Sequence, residues 1–136
     1  MMVLGLYGFV LWGCSRAVVV APPVTPEDRS IQTGVPGKDI RELSPRAQAS
    51  LRLTDQGRLL LEEGKAGDAI ERLERAINVD STNGLNYYYL SEAWLFKGNF
   101  RVAGEFNGLA RIYLKDSPQW MVRVRAQEDR IDELSR

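Results

Sequence analysis

The chain has 136 residues, with 18 Lys plus Arg against 18 Asp plus Glu, a single Cys and no His. The balance persists from residue 44 to the C-terminus, where each sign occurs fourteen times. There is thus no cationic surplus of the kind a phosphate backbone requires, and nucleic acid is not an expected partner. The missing His removes the commonest general base and metal ligand, and one Cys can build neither a disulfide nor a thiolate zinc site. No Gly-rich phosphate loop opens a helix, and the acid pairs Glu62-Glu63 and Asp132-Glu133 fall on polar helix faces. The expectation is a non-enzymatic module with no metal and no cofactor.

Val3 to Gly13 is an eleven-residue run without charge. It is shorter than the ~20 residues of a membrane span but suits the apolar core of a signal peptide. The run ends in Leu11-Trp12-Gly13-Cys14-Ser15, which resembles the lipobox of bacterial lipoproteins. The resemblance implies cleavage before Cys14 and lipidation of that residue. Ser15, in place of Asp, further implies export to the outer membrane, with the domain facing the periplasm. Trp12 is bulkier than the family pattern, and no Lys or Arg precedes Cys14, where a signal peptide normally opens with positive charge. The competing expectation is a soluble adaptor that self-associates and carries an uncleaved or misannotated leader.

Residues 15–43 read as a tether between leader and domain. Pro22, Pro23, Pro26 and Pro36 lie here with Gly34 and Gly37. Proline removes the backbone donor and fixes φ, so neither a helix nor a central strand runs through the stretch.

From residue 44 to 136 the pattern is helical. Ser44-Pro45 is a helix start, and the helix runs to about Glu63, where Gly64 stops it. A second spans Asp68 to about Val79, with Ala69, Ile70, Leu73, Ala76 and Ile77 on one stripe. After Ser81-Thr82-Asn83, a third covers roughly Gly84 to Lys97 and ends at Gly98. The fourth, capped by Asn99, runs from about Phe100 to Leu114. Ser117-Pro118 opens a fifth that reaches Ser135. No stretch alternates with period two, so the fold class expected is all-α.

Shifting the chain by 34 residues superposes Leu51 on Leu85, Leu61 on Leu95, Gly64 on Gly98, Ala69 on Ala103, Glu71 on Glu105 and Ala76 on Ala110. Those six identities among 26 positions compare with roughly two from ordinary composition. This pattern resembles the tetratricopeptide repeat, a helix–turn–helix unit of that period. The copies are expected at about 50–83 and 84–117. The family's large first-helix positions fall on Leu53 and Leu60, then Tyr87 and Trp94. Its small positions fall on Gly57 and Ser91, and its second-helix alanines on Ala69 with Ala76, then Ala103 with Ala110. The apolar residue between those alanines is Leu73 in one copy and Asn107 in the other, and the closing proline is replaced by Ser81.

Two copies are fewer than a solenoid ordinarily needs to bury a continuous core. The last helix, about 118–135, offers Trp120, Val124, Gln127, Ile131 and Leu134 along one side. It is expected to cap the stack as antiparallel hairpins close on it, with a homodimer through this helix as the other use. The resemblance implies a groove lined by Thr54, Arg58, Leu61 and Glu62, then Tyr88, Glu92, Leu95 and Phe96. Its expected partners are other envelope proteins or their peptide segments. These residues lack the Lys and Asn of the family's carboxylate clamp. Tyr87, Tyr88 and Tyr89 point about 100° apart on a helix and are not expected to form one stacking platform. The functional expectation is a lipid-anchored protein–protein interaction scaffold of the bacterial envelope.

Overall fold

In a computed structural model, which describes residues 42–136, five helices pack as successive antiparallel hairpins. They are α1 (Pro45–Glu62), α2 (Ala66–Val79), α3 (Gly84–Phe96), α4 (Phe100–Tyr113) and α5 (Pro118–Leu134). The helix count and order match the sequence pattern; α2 begins two residues before the expected Asp68. Cys14, the leader and the tether lie outside the described residues. No described helix is long and apolar enough to cross a membrane.

Local chemistry sets the helix ends. Ser44 Oγ accepts from Ala47 N at 3.2 Å while Pro45 occupies the first turn. Asn83 and Asn99 cap α3 and α4 by accepting from Leu85 N and Val102 N. The two hairpin turns are built alike. Lys65 N donates to Leu60 O at 2.8 Å and Asn99 N to Trp94 O at 2.9 Å, around glycines with φ of 76° and 73°. Only glycine takes that left-handed conformation without a Cβ penalty, so Gly64 and Gly98 turn each hairpin at the same register.

α1 pairs with α2 and α3 with α4; α2 and α1 both pack on α3, and α5 lies on α4 and α3. This is an all-α arrangement of helical-repeat type, with α1, α3 and α5 side by side in one layer. Ala69, Ala76, Ala103 and Ala110 are all fully buried. Small side chains at these positions let each pair of helices cross closely. Leu73 and Leu90 fill the core between the hairpins, and Leu85, Tyr87, Leu114, Trp120 and Val124 fill the core beneath α5.

Buried polar groups also join the elements: Ser91 Oγ on α3 donates to Ala103 O on α4 at 2.8 Å, and two larger clusters link other helices. Ser50 Oγ donates to Ala76 O at 3.1 Å, and Thr54 Oγ1 lies 2.5 Å from Asn86 Oδ1. Asn86 Nδ2 donates to Ser50 Oγ at 3.0 Å, tying α1 to α3. The second cluster joins α4 to α5. Asn107 Nδ2 donates to Gln127 Oε1 and to Val124 O, both at 2.9 Å. Asn107 is the residue that breaks the apolar repeat pattern, and Gln127 interrupts the apolar side of the last helix. Each is satisfied by the other.

α5 stands in the register of a third first-helix. Trp120, Val124 and Gln127 follow Asn86, Leu90 and Ala93 by 34 residues, and all six are buried against the hairpin before them. Ile131 continues the series, whereas Leu134 is exposed. The same register on α1 holds Arg52, Gln56, Leu59 and Glu63, all exposed. Three of these four are polar, so the leading end of the stack is solvated.

Candidate functional site

In the α1–α3–α5 layer, aromatic side chains of α3 and α5 meet, with the charge of Arg58 on α1 nearby. Tyr88 and Tyr89 on α3 have ring centroids 5.3 Å apart at 80°. Trp120 on α5 meets both edge-on, at 5.2 Å from Tyr88 and 6.2 Å from Tyr89. Arg123, one turn along α5, lays its guanidinium 4.9 Å above the Trp120 ring, a favourable cation–π placement. On the α1 side Arg58 donates to Asp55 Oδ1 at 2.8 Å and to Glu62 Oε1 at 2.5 Å.

The electrostatics follow from this enclosure. Burial pushes the Tyr88 hydroxyl up to about 12, and the neighbouring Glu92 carboxylate adds to the effect. Burial also raises Tyr89, opposed by the cations of Arg58 and Arg123. Tyr89 therefore senses α1 on one side and α5 on the other. Partial burial works against the Arg58 charge, but the hydrogen bond and charge of Asp55, with Glu62, outweigh it and hold its pKa above the ordinary value. Both tyrosines stay neutral donors at physiological pH.

The eight residues expected to line a groove differ in burial and partners. Thr54 does not belong there: it is 3% exposed and donates to Ser50 O at 2.8 Å within the α1–α3 polar contact. The first-helix register turned it inward because its hydroxyl has buried partners to satisfy. Leu61 and Leu95 are half-buried, and Leu61 packs on the Leu73–Leu90 core. Tyr88 and Glu92 are half-buried under α5, with Glu92 Oε1 accepting from Gln127 Nε2 at 2.6 Å and from Arg130 at 2.5 Å. Arg58 is half-buried and paired with Asp55 and Glu62, Glu62 is exposed, and Phe96 is 65% exposed.

The expectation about the tyrosine run holds for Tyr87. It faces away, stacks on Tyr113 at 5.1 Å and 13°, and donates to Ser81 O at 2.8 Å. Tyr88 and Tyr89 do share a site, because α5 supplies a ring that touches both. Sequence reasoning missed Tyr89, Trp120 and Arg123. The available signal was the 34-residue register, which sets Trp120 opposite α3 and leaves Arg123 one turn on.

Among the described residues, no group of three or more His, Cys, Asp or Glu gathers as a metal site. What the face offers is hydrogen-bond donors beside aromatic edges: two phenol hydroxyls, a guanidinium, and the exposed Phe96 ring. Among the described residues of this face, no nucleophile is hydrogen-bonded to a base that could activate it. Against known proteins, the chain matches no family model, no curated relative and no solved structure.

Proposed function

We propose that this chain is a non-catalytic protein–protein interaction module of tetratricopeptide type, acting as an adaptor through its α1–α3–α5 face. The observation that carries the reading is the meeting of half-buried Tyr88 and Tyr89 with exposed Arg123 on that face, over the buried Trp120 ring. Aromatic and Arg side chains are the types that dominate protein-binding hot spots. Two hairpins of matched register, each with buried alanines and the same glycine turn, support the repeat assignment. The ligand that fits is an extended segment presenting carbonyl acceptors and an acidic side chain.

The test is affinity capture with matched variants. Arg123→Glu and Phe96→Ala on the face should each lose the partners held by the wild-type chain, while Ile112→Ala on α4 should keep them. Loss with Ile112→Ala and retention with Arg123→Glu would overturn the reading.

A second reading places the adaptor on a bacterial outer membrane through lipid at Cys14, favoured by the Leu11-Trp12-Gly13-Cys14 run. Each buried acyl CH₂ would contribute ~0.8 kcal/mol of anchoring. Acyl labelling and membrane fractionation of wild type against Cys14→Ala test it. Unchanged fractionation favours the unanchored, self-associating adaptor.

A further inference from the structure

We infer that the α1–α3–α5 face is occupied by the chain's own segment Pro22-Pro23-Val24-Thr25-Pro26-Glu27-Asp28, bound in cis, which competes with outside partners. The inference rests on the adaptor reading and names how that face is regulated.

Three observations point to this occupant. The first is donor–acceptor chemistry. The face supplies donors, from the Tyr88 and Tyr89 hydroxyls and Arg123, beside apolar ring edges. The segment has three prolines in five residues; each keeps its carbonyl, lacks an N–H, and has φ restricted by its ring to about −65°. Such segments dock on aromatic-lined surfaces at low entropic cost.

The second is charge. Arg58, Arg101, Arg111 and Arg130 each pair with a carboxylate. Among the described residues Arg46, Arg52, Arg72, Arg75, Arg123, Arg125 and Arg136 form no ion pair, and of these Arg123 is the one laid over an aromatic ring of this face. Glu27 and Asp28 directly follow Pro26, so one docked segment brings rings, carbonyls and carboxylates to the matching groups.

The third is reach. Thirteen residues, 29–41, separate Asp28 from Glu42, an extended span of ~40 Å. From α1 to α5 the segment must cross two helix spacings of ~8–10 Å each. The link is long enough, and its short length makes binding in cis the dominant mode at ordinary concentration.

The experiment uses the full chain with a photo-reactive phenylalanine derivative in place of Val24. Irradiation should yield monomeric adducts that map to α3 and α5 around Tyr88, Tyr89 and Arg123. Arg123→Glu should lower the yield by about fivefold, the weight of one modest ion pair. Adding Glu27→Lys and Asp28→Lys to Arg123→Glu should restore it. Adducts on α2 or α4, a yield indifferent to Arg123→Glu, or adducts of dimer size that grow with concentration would each overturn the inference, the last in favour of a second copy.

A separate arm distinguishes this failure from failure of the adaptor reading. A labelled synthetic peptide of residues 21–30 is titrated into the full chain carrying Glu27→Lys and Asp28→Lys. Binding that Arg123→Glu abolishes supports the inference. If this peptide does not bind while captured partners still depend on Arg123 and Phe96, the inference falls and the adaptor stands. If neither depends on those residues, both fall.

Discussion

Asn107 on α4 and Gln127 on α5 are each 2% exposed, and the amide of Asn107 donates to the side-chain oxygen of Gln127 at 2.9 Å. Gln127 Nε2 then donates to Tyr88 O at 3.2 Å and to Glu92. One polar residue on each helix would be a defect; together they fix the rotation of α5 on the hairpin below. Replacing Asn107→Leu restores the apolar residue of the first copy but strands the Gln127 oxygen. The expected cost is about 1–3 kcal/mol in urea unfolding. The double variant Asn107→Leu with Gln127→Leu should be less destabilised than the sum of the singles. Strict additivity would mean the two side chains do not act as a pair.

Gly57 and Gly108 are both helical glycines, yet they should respond oppositely to alanine. A Cβ at Gly57 would sit 2.6 Å from Leu73 Cγ and 2.8 Å from its Cδ2, and Leu73 is fully buried. Gly57→Ala should therefore lose about 1–3 kcal/mol through overpacking. A Cβ at Gly108 meets nothing within 4 Å. Gly108→Ala should gain about 0.5–1 kcal/mol by lowering the entropy of the unfolded chain. Thermal melts of the two variants, read against wild type, check both signs.

Thr54→Val keeps the shape and removes the hydroxyl that bridges Ser50 and Asn86. Its partners are buried, so unfolding should become easier by about 1–3 kcal/mol. Partner capture by the surviving folded protein should be unchanged. A variant of normal stability that fails to capture would return Thr54 to the binding face.

Alkaline pH should weaken the fold through Tyr88. Its ordinary pKa of 10.0 rises to about 12 in the folded chain. The folded state thus holds this proton where the unfolded state has released it. The stabilisation is complete below about pH 10 and is lost as pH rises from there towards 12. Urea midpoints should fall across that window, and Tyr88→Phe should flatten the decline. A decline of unchanged steepness in Tyr88→Phe would assign it to other groups.

The helices and their order were legible because capping residues, turn glycines and the 3.6-residue stripe act locally. Gly64 and Gly98 mark their turns wherever the rest of the chain goes. The buried alanines were legible for a related reason, since a close helix crossing accepts few other side chains. The binding face was read less well. Thr54 looked outward by register alone, and only the three-dimensional placement of Ser50 and Asn86 reveals its buried partners. Trp120 is separated by thirty residues from the nearest tyrosine it touches, Leu90's neighbour Tyr89, and no local pattern announces that meeting. Gln127 read as an interruption because its complement, Asn107, also read as one.

The solvated side of α1 and the polar pairing beneath α5 constrain how such a chain could lengthen. A duplicated hairpin attached ahead of Arg52, Gln56 and Glu63 would have to pair the charges of Arg52 and Glu63 as it buried them. Growth is also open at the junction between Leu114 and Ser117, inside the stack. An inserted unit there must itself bring a glutamine to meet Asn107 and an asparagine to receive Gln127. The two amides therefore act as a matched plug and socket, and a unit inserted at this junction keeps both satisfied by copying both halves.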